Sequence, residues 1–362
     1  MMDLDNFKIA FAKAFHKIME WAVNNQQFSE YKGSISMALV HEALFHVEEK
    51  GFDLQQILYK AEIPFELLHS PKARISVPAY ARLWTEIANQ MNDEFFGMDS
   101  HPMRRGSYKL LSKMVMHADT LSTAIEQILQ YFNFILDDFH SKLIIDENYA
   151  YIVITDKLQT KRMFCYATYF MLVHSLICWL ADQRILLNHM RLKCTQPIDD
   201  LDYRVRFCEK ISYQADNHYL QFDANYLNIQ IKRDKKSWYD FIRNTPENLL
   251  LRFKNPHALS SMIRKQLLSV PPAEWCELSE LAQQLNISEA TIQRRLKNEG
   301  ISYQQLKNDI RRDLAIDLLC KSSHTLQEIS EQLHFQEPSA FHRAFKKWTG
   351  VSPGAYRELK IL

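Results

Sequence analysis

Apolar positions recur along this chain in two rhythms. Leu54, Ile57, Leu58 and Ala61 fall on one face of a helix, and so do Leu121, Ile125, Ile128 and Phe132. A period of two replaces this in the β-branched runs Leu143-Ile144-Ile145 and Tyr151-Ile152-Val153-Ile154, and the intervening Glu147-Asn148 predicts a hairpin. His189 to Cys194 and Tyr219 to Phe222 offer further strands. Interleaved helices and strands predict an α+β domain over residues 1–240. The chain then becomes polar and is broken at Asn244-Thr245-Pro246 and Asn255-Pro256-His257, where proline opposes helix in the residue before it. A linker is expected over 241–259, followed by an all-α domain over 260–362.

The C-terminal part contains a repeat offset by about 48 or 49 positions. Leu281, Ala282, Leu285, Ile287, Ile292, Arg294, Leu296 and Gly300 are echoed by Ile329, Ser330, Leu333, Phe335, Phe341, Arg343, Phe345 and Gly350. Each copy predicts a short helix, a turn and a second helix that pack through apolar pairs four residues apart. Ser288 is placed to cap the second helix of the first copy, and Pro338 suits the first turn of its counterpart. Gly300 and Gly350 suit left-handed C-terminal positions. Leu306, Ile310, Leu314 and Leu318 share one helical face, so a long helix is expected to join the two copies.

With Ile292 and Leu296 turned inward, the opposite face of that helix carries Ala290, Arg294 and Lys297, with Gln293 on its flank. The same rotation about Phe341 and Phe345 turns Ser339, Arg343 and Lys346 outward and leaves His342 and Lys347 on the flanks. A single basic helix face is usually just solvated. Arginine at the same outward position of two copies, each behind a short helix and turn, favours a paired major-groove reader instead. There arginine can donate two hydrogen bonds to guanine, glutamine can pair with adenine, and lysine can hold phosphate.

Overall charge adds little attraction for a polyanion, since 44 Lys and Arg oppose 43 Asp and Glu. It is mildly segregated: 16 basic against 12 acidic residues from Leu251 onward, and 28 against 31 before it. Only 7 of 362 residues are glycine, which argues against Gly-rich phosphate loops, barrels and propellers. Six scattered cysteines without a CxxC point to reduced thiols in the cytoplasm, and the opening Met1-Met2-Asp3-Leu4-Asp5 predicts no secretory signal. From Met163 to Ala181 no residue is Asp, Glu, Lys or Arg, a length that could cross a bilayer. Thr168, His174 and Ser175 within it favour a buried core helix; Tyr166, Tyr169, Phe170, His174 and Trp179 offer the side chains of a mostly apolar sensor pocket but are read as core residues of this helix. No GxSxG, HExxH, GxGxxG or P-loop pattern occurs, and His41 with His46 is a poor ligand pair, so no catalytic, cofactor or metal residues are expected.

Arg311, Ala315, Leu318-Leu319, Ile329, Leu333, Phe335, Pro338-Ser339-Ala340-Phe341, Arg343, Phe345-Lys346, Gly350, Ser352-Pro353 and Tyr356-Arg357 closely resemble the pattern of the AraC/XylS family of bacterial transcription regulators. The resemblance spans roughly Leu278 to Arg357. It implies that Ala290, Gln293, Arg294, Ser339, His342 and Arg343 read bases. A departure is His334, where the family usually has Gly; a left-handed turn there would cost histidine about 1 kcal/mol. Asp93-Glu94-Phe95-Phe96-Gly97-Met98, Thr120-Leu121-Ser122-Thr123-Ala124, Tyr131-Phe132, Val205-Arg206-Phe207 and Leu220-Gln221-Phe222 resemble the family's arabinose-binding type of N-terminal domain, a historical label that does not fix the ligand. The implied protein has an α+β regulatory domain, then two helix-turn-helix units joined by a long helix. Its implied partners are double-stranded promoter DNA, RNA polymerase, an unknown small-molecule effector and a second copy of the chain, with no membrane. An enzyme or membrane-associated sensor carrying a DNA-binding tail is the alternative.

Overall fold

The computed structural model describes residues 34–251, except 71, 72 and 244, and residues 259–361, except 299, 300 and 350. The expectations for the first five residues, for Asn255-Pro256-His257, and for Gly300 and Gly350 lie outside the described residues. By contact the described chain separates into two units. Residues 35–68 and 77–251 form one, and residues 34, 69–76 and 259–361 form the other.

In the first unit, helices α1 (Met37–Glu49), α2 (Leu54–Lys60), α3 (Val77–Met91), α4 (Ser107–Val115) and α5 (Leu121–Ile135) precede the sheet. Asp53 and Thr120 start α2 and α5 by accepting hydrogen bonds from the backbone of Gln56 and Thr123. Ile57 and Leu58 of α2, and Leu121, Ile125, Ile128 and Phe132 of α5, are buried as their spacing predicts. Strands β1 (Phe139–Ile145), β2 (Tyr149–Asp156), β3 (Leu187–Arg191), β4 (Ile211–Ser212) and β5 (His218–Asp223) form one sheet in the order β1-β2-β5-β3-β4. All neighbours are antiparallel except β3 and β4. The expected hairpin is β1 and β2, with Ser141 opposite Ile154. Its turn is held by Asp146, which accepts from the backbone of Asn148 (2.9 Å) and Tyr149 (2.7 Å) and from the Tyr151 hydroxyl (2.8 Å).

Helix α6 (Met163–Leu180) is buried along its whole length, so its apolar run is used in packing within this unit. The Tyr166 hydroxyl donates to Asp156 at 2.6 Å while its ring stacks on His218 at 4.0 Å. Trp179 stacks on Phe241 at 4.8 Å. Burial pushes the His174 pKa down to about 3, so the imidazole stays neutral and its Nε2 donates to the Ile185 carbonyl at 2.8 Å. Helix α7 (Leu201–Arg206) precedes β4, and α8 (Lys235–Arg243) and α9 (Glu247–Leu251) follow β5. The interval 241–259 thus holds the end of α8, a turn at Thr245-Pro246 and α9. Leu249 and Leu250 are buried where α9 packs on α3 and α6, and Phe241, on α8, is buried against Trp179.

The second unit contains α10 (Leu259–Leu268), α11 (Leu278–Leu285), α12 (Glu289–Asn298), α13 (Tyr303–Lys321), α14 (Leu326–Gln332), α15 (Pro338–Thr349) and α16 (Pro353–Ile361). Helix α13 packs against α10, α14, α15 and α16, and also against the short strand Arg74–Ser76. At its centre the buried Asp313 accepts from Arg264, Arg312 (3.1 Å) and the Ser34 hydroxyl. Arg74 holds Ser34 in turn, through Nε to the hydroxyl and a second donor to the carbonyl, both at 2.9 Å. Burial alone would raise the Asp313 carboxyl, but the surrounding arginines and Ser34 hold it well below the usual carboxylate range.

Candidate DNA interface

The two helix pairs of the second unit end their first helices in the same way. Asn286 follows α11 at φ 52°, and its amide donates to Gln283 O while the next amide, Ile287, donates to Ala282 O. His334 stands at φ 56°, its amide donates to Glu331 O, and Phe335 donates to Ser330 O. Both turns are thus left-handed caps with the same pair of backbone hydrogen bonds. The repeat seen in the apolar residues extends to the backbone, and His334 adopts the left-handed conformation weighed for it.

Each turn delivers the chain into the second helix of its pair. Thr291 N donates to Ser288 Oγ at 3.2 Å, capping α12, and Pro338 occupies the first position of α15, where a missing N–H is harmless. Ile292 and Leu296 are buried against α11, and Phe341 and Phe345 against α14 and α16. Burial of these pairs fixes the rotation of both helices.

The opposite faces consequently point to solvent. Ala290, Gln293, Arg294 and Lys297 on α12 are exposed, as are Ser339, Arg343, Lys346 and Lys347 on α15. His342 is half-buried, with its ring 6.0 Å from that of Phe341. The Ser339 hydroxyl donates to Glu337 at 2.9 Å, so any other acceptor must compete with that carboxylate. A hollow of about 660 Å³ runs beside α12 and is edged by Gln293, Lys297, Ser302 and Gln304.

Sequence reasoning assigns no role to the residues that tie α13 to its neighbours, although Arg311 is among those that carry the family resemblance. Tyr303, Lys307 and Arg311 lie four apart on α13. The Tyr303 hydroxyl donates to Cys276 O at 2.7 Å, and Lys307 pairs with Glu277 at 3.1 Å, just before α11. Arg311 lies over Trp275 at 4.9 Å and donates to Leu333 O at 3.2 Å, in the second turn. Their spacing on one helix face was the available signal.

An α+β unit and a separate helical unit with two exposed basic helices are the parts of a DNA-binding regulator with its own sensory half. The model of the arabinose-binding domain of AraC transcription regulators matches residues 51–231, and a helix-turn-helix domain model matches residues 281–359. The chain belongs to the AraC family of transcription regulators. The ornithine utilization regulator of Pseudomonas aeruginosa is 24% identical over 327 residues, covering 90% of this chain and 96% of that protein. The regulator VqsM of the same species is 37% identical over 86 residues, 24% of this chain and 26% of its own. VirF of Shigella flexneri, a virulence regulon transcriptional activator, is 32% identical over 96 residues, 26% of this chain and 36% of its own. The chain is accordingly a transcription regulator and not an enzyme, with a ligand-binding type of N-terminal domain and a helix-turn-helix DNA-binding domain.

Proposed function

We propose that α11 with α12, and α14 with α15, are two helix-turn-helix units joined by α13 that enter successive major grooves on one side of promoter DNA, about 34 Å apart. Arg294 and Arg343 are assigned to guanine, Gln293 to adenine, and Ala290, Ser339 and His342 to neighbouring base edges. Lys297, Lys346 and Lys347 hold phosphates. The observation that carries this reading is the repeated left-handed turn, at Asn286 and at His334, ahead of an exposed arginine in each copy. The bridges from Tyr303, Lys307 and Arg311 support α13 as the spacer between the units.

Residues 260–362 form the reading domain in this proposal, 1–240 the regulatory domain and 241–259 the connection. The regulatory domain responds to a small metabolite in the cytoplasm. The name of the ornithine utilization regulator makes amino-acid-derived compounds the first to try. Two copies bound to paired sites, in contact with RNA polymerase, would convert occupancy into transcription, because linkage raises effective concentration. Footprinting of the full chain on genomic fragments tests the reading. Protection of two segments one helical turn apart on one face is expected, and no protected fragment at low salt would overturn it.

A further inference from the structure

The first unit carries a cleft of about 610 Å³ between the end of α1, the loop after Gly97, the segment before α6 and the start of α6 itself. That volume lies in the range of small-molecule sites. Its lining carboxylates already have protein donors. Asp99 accepts from the backbone of His101 (3.0 Å), Asp137 (2.9 Å) and Asp138 (2.9 Å). Asp138 accepts from the backbone and hydroxyl of Ser100 and from Lys161. Although burial raises it, these donors hold the Asp138 carboxyl below its ordinary value, so it stays charged. Glu42 accepts from Arg162 at 2.5 Å and Glu49 from His46 at 2.8 Å.

The donors, by contrast, are in surplus. A Cβ on Gly97, which stands at φ +74°, would come within 2.8 Å of Lys50 Nζ, so the missing side chain lets this ammonium lie over the loop. Lys50 makes no ion pair with another described residue; burial raises the Asp93 carboxyl nearby, and the Lys50 charge opposes that rise only in part. The Arg162 guanidinium lies 4.0 Å from the Phe45 ring centre and spends only one terminal nitrogen on Glu42. Phe45 and Phe164 supply apolar wall.

We propose that this cleft is the effector site, and that it takes a small molecule with a carboxylate held by Lys50 and Arg162 and an apolar body against Phe45 and Phe164. It rests on the reading that the regulatory domain senses a small metabolite. A neutral or cationic ligand would leave those donors unanswered, because the acids around them are already engaged.

The test is calorimetric titration of the full chain with hexanoate, benzoate and L-ornithine, with hexylamine as the cationic control. Each is repeated on Lys50→Met and Arg162→Met, exposed positions whose unliganded melting temperatures report that the fold is kept. At least one carboxylate should bind, hexylamine should not, and each substitution should weaken binding roughly tenfold or more. Failure of all three carboxylates, or tighter binding of hexylamine, overturns the proposed ligand class. Carboxylate binding untouched by both substitutions overturns the cleft as its location. A small-metabolite filtrate of cells, added to the DNA-binding assay, separates this from the parent reading. If it changes DNA affinity equally in wild type and Lys50→Met, the cleft falls and sensing stands. If it changes neither, sensing itself falls.

Discussion

The two helix pairs of the C-terminal unit share a backbone and differ in what fills it. In the first pair the interior is aliphatic: Ile292 and Leu296 pack with Leu281 and Ala282, and asparagine takes the left-handed turn. In the second it is aromatic, with ring centres 5.6 Å apart for Phe335 and Phe341, 5.8 Å for Phe341 and Phe345, and 5.4 Å for Phe345 and Tyr356. The turn hydrogen bonds and the outward arginine are the same in both. The two pairs thus share what sets the outward face of the second helix, the rotation and the turn, while their interiors differ and both stay apolar and filled.

The largest effects should come from emptying those interiors, and they should be unequal. Phe341→Ala removes a fully buried ring packed against those of Phe335 and Phe345, and a loss of about 4 kcal/mol is expected in urea unfolding. Ile292→Ala removes fewer buried carbons, and about 3 kcal/mol is expected. Equal losses would show that neither the extra buried carbons of Phe341 nor its ring contacts add stability. Asp313→Ala comes next, at about 3 kcal/mol, because it removes the buried carboxylate on which Arg264 and Arg312 converge and leaves Arg312 with Asp309. The Asp313 carboxyl is depressed in the fold, so its contribution is complete above the unfolded value near pH 4 and is lost as pH falls through the lower folded value. Acid melting of the wild type should therefore begin below about pH 4, and the variant should lack that component.

Much of this interior was legible in the sequence because it is local. Spacing of four places Ile292 over Leu296 and Phe341 over Phe345, and a β-branched run beside Glu147-Asn148 makes the β1–β2 hairpin. The α6 helix was legible by length but had no polar face from which to read its orientation. What the sequence hid is non-local. Ser34 and Arg74 reach Asp313 across more than half the chain, and the cleft draws on segments scattered between Glu42 and Cys165. The polar text of 241–259 likewise concealed α9, whose Leu249 and Leu250 are visible as core only once α3 and α6 stand beside them.

The exposed arginines sharpen the comparison on the DNA side. Arg294→Ala and Arg343→Ala should each weaken specific binding by about 1–3 kcal/mol and relax base preference in one half of the site, with unfolding unchanged. Lys297→Ala, Lys346→Ala or Lys347→Ala should weaken binding to all sequences alike and lower the salt dependence by about one phosphate contact. A base-preference change confined to Arg343→Ala would mean that only the second pair reads sequence. Titrations at several salt concentrations, with specific and scrambled duplexes, distinguish these outcomes.

The smallest effect isolates the turns. Asn286 and His334 hold the same left-handed conformation at φ 52° and 56°, but asparagine tolerates it better than most residues because its short amide can bond locally. His334→Gly should therefore relieve about 1 kcal/mol of backbone strain, offset in part by the greater freedom glycine gives the unfolded chain. A net gain of a few tenths of a kcal/mol is expected at His334, and a net loss of similar size for Asn286→Gly. The His334 side chain is exposed, so little packing is lost with it and the difference reports the backbone. Opposite signs in paired urea titrations would show the second copy carrying strain that the first avoids. Equal destabilisation at both positions would mean that the His334 side chain stabilises its turn by as much as the conformation costs.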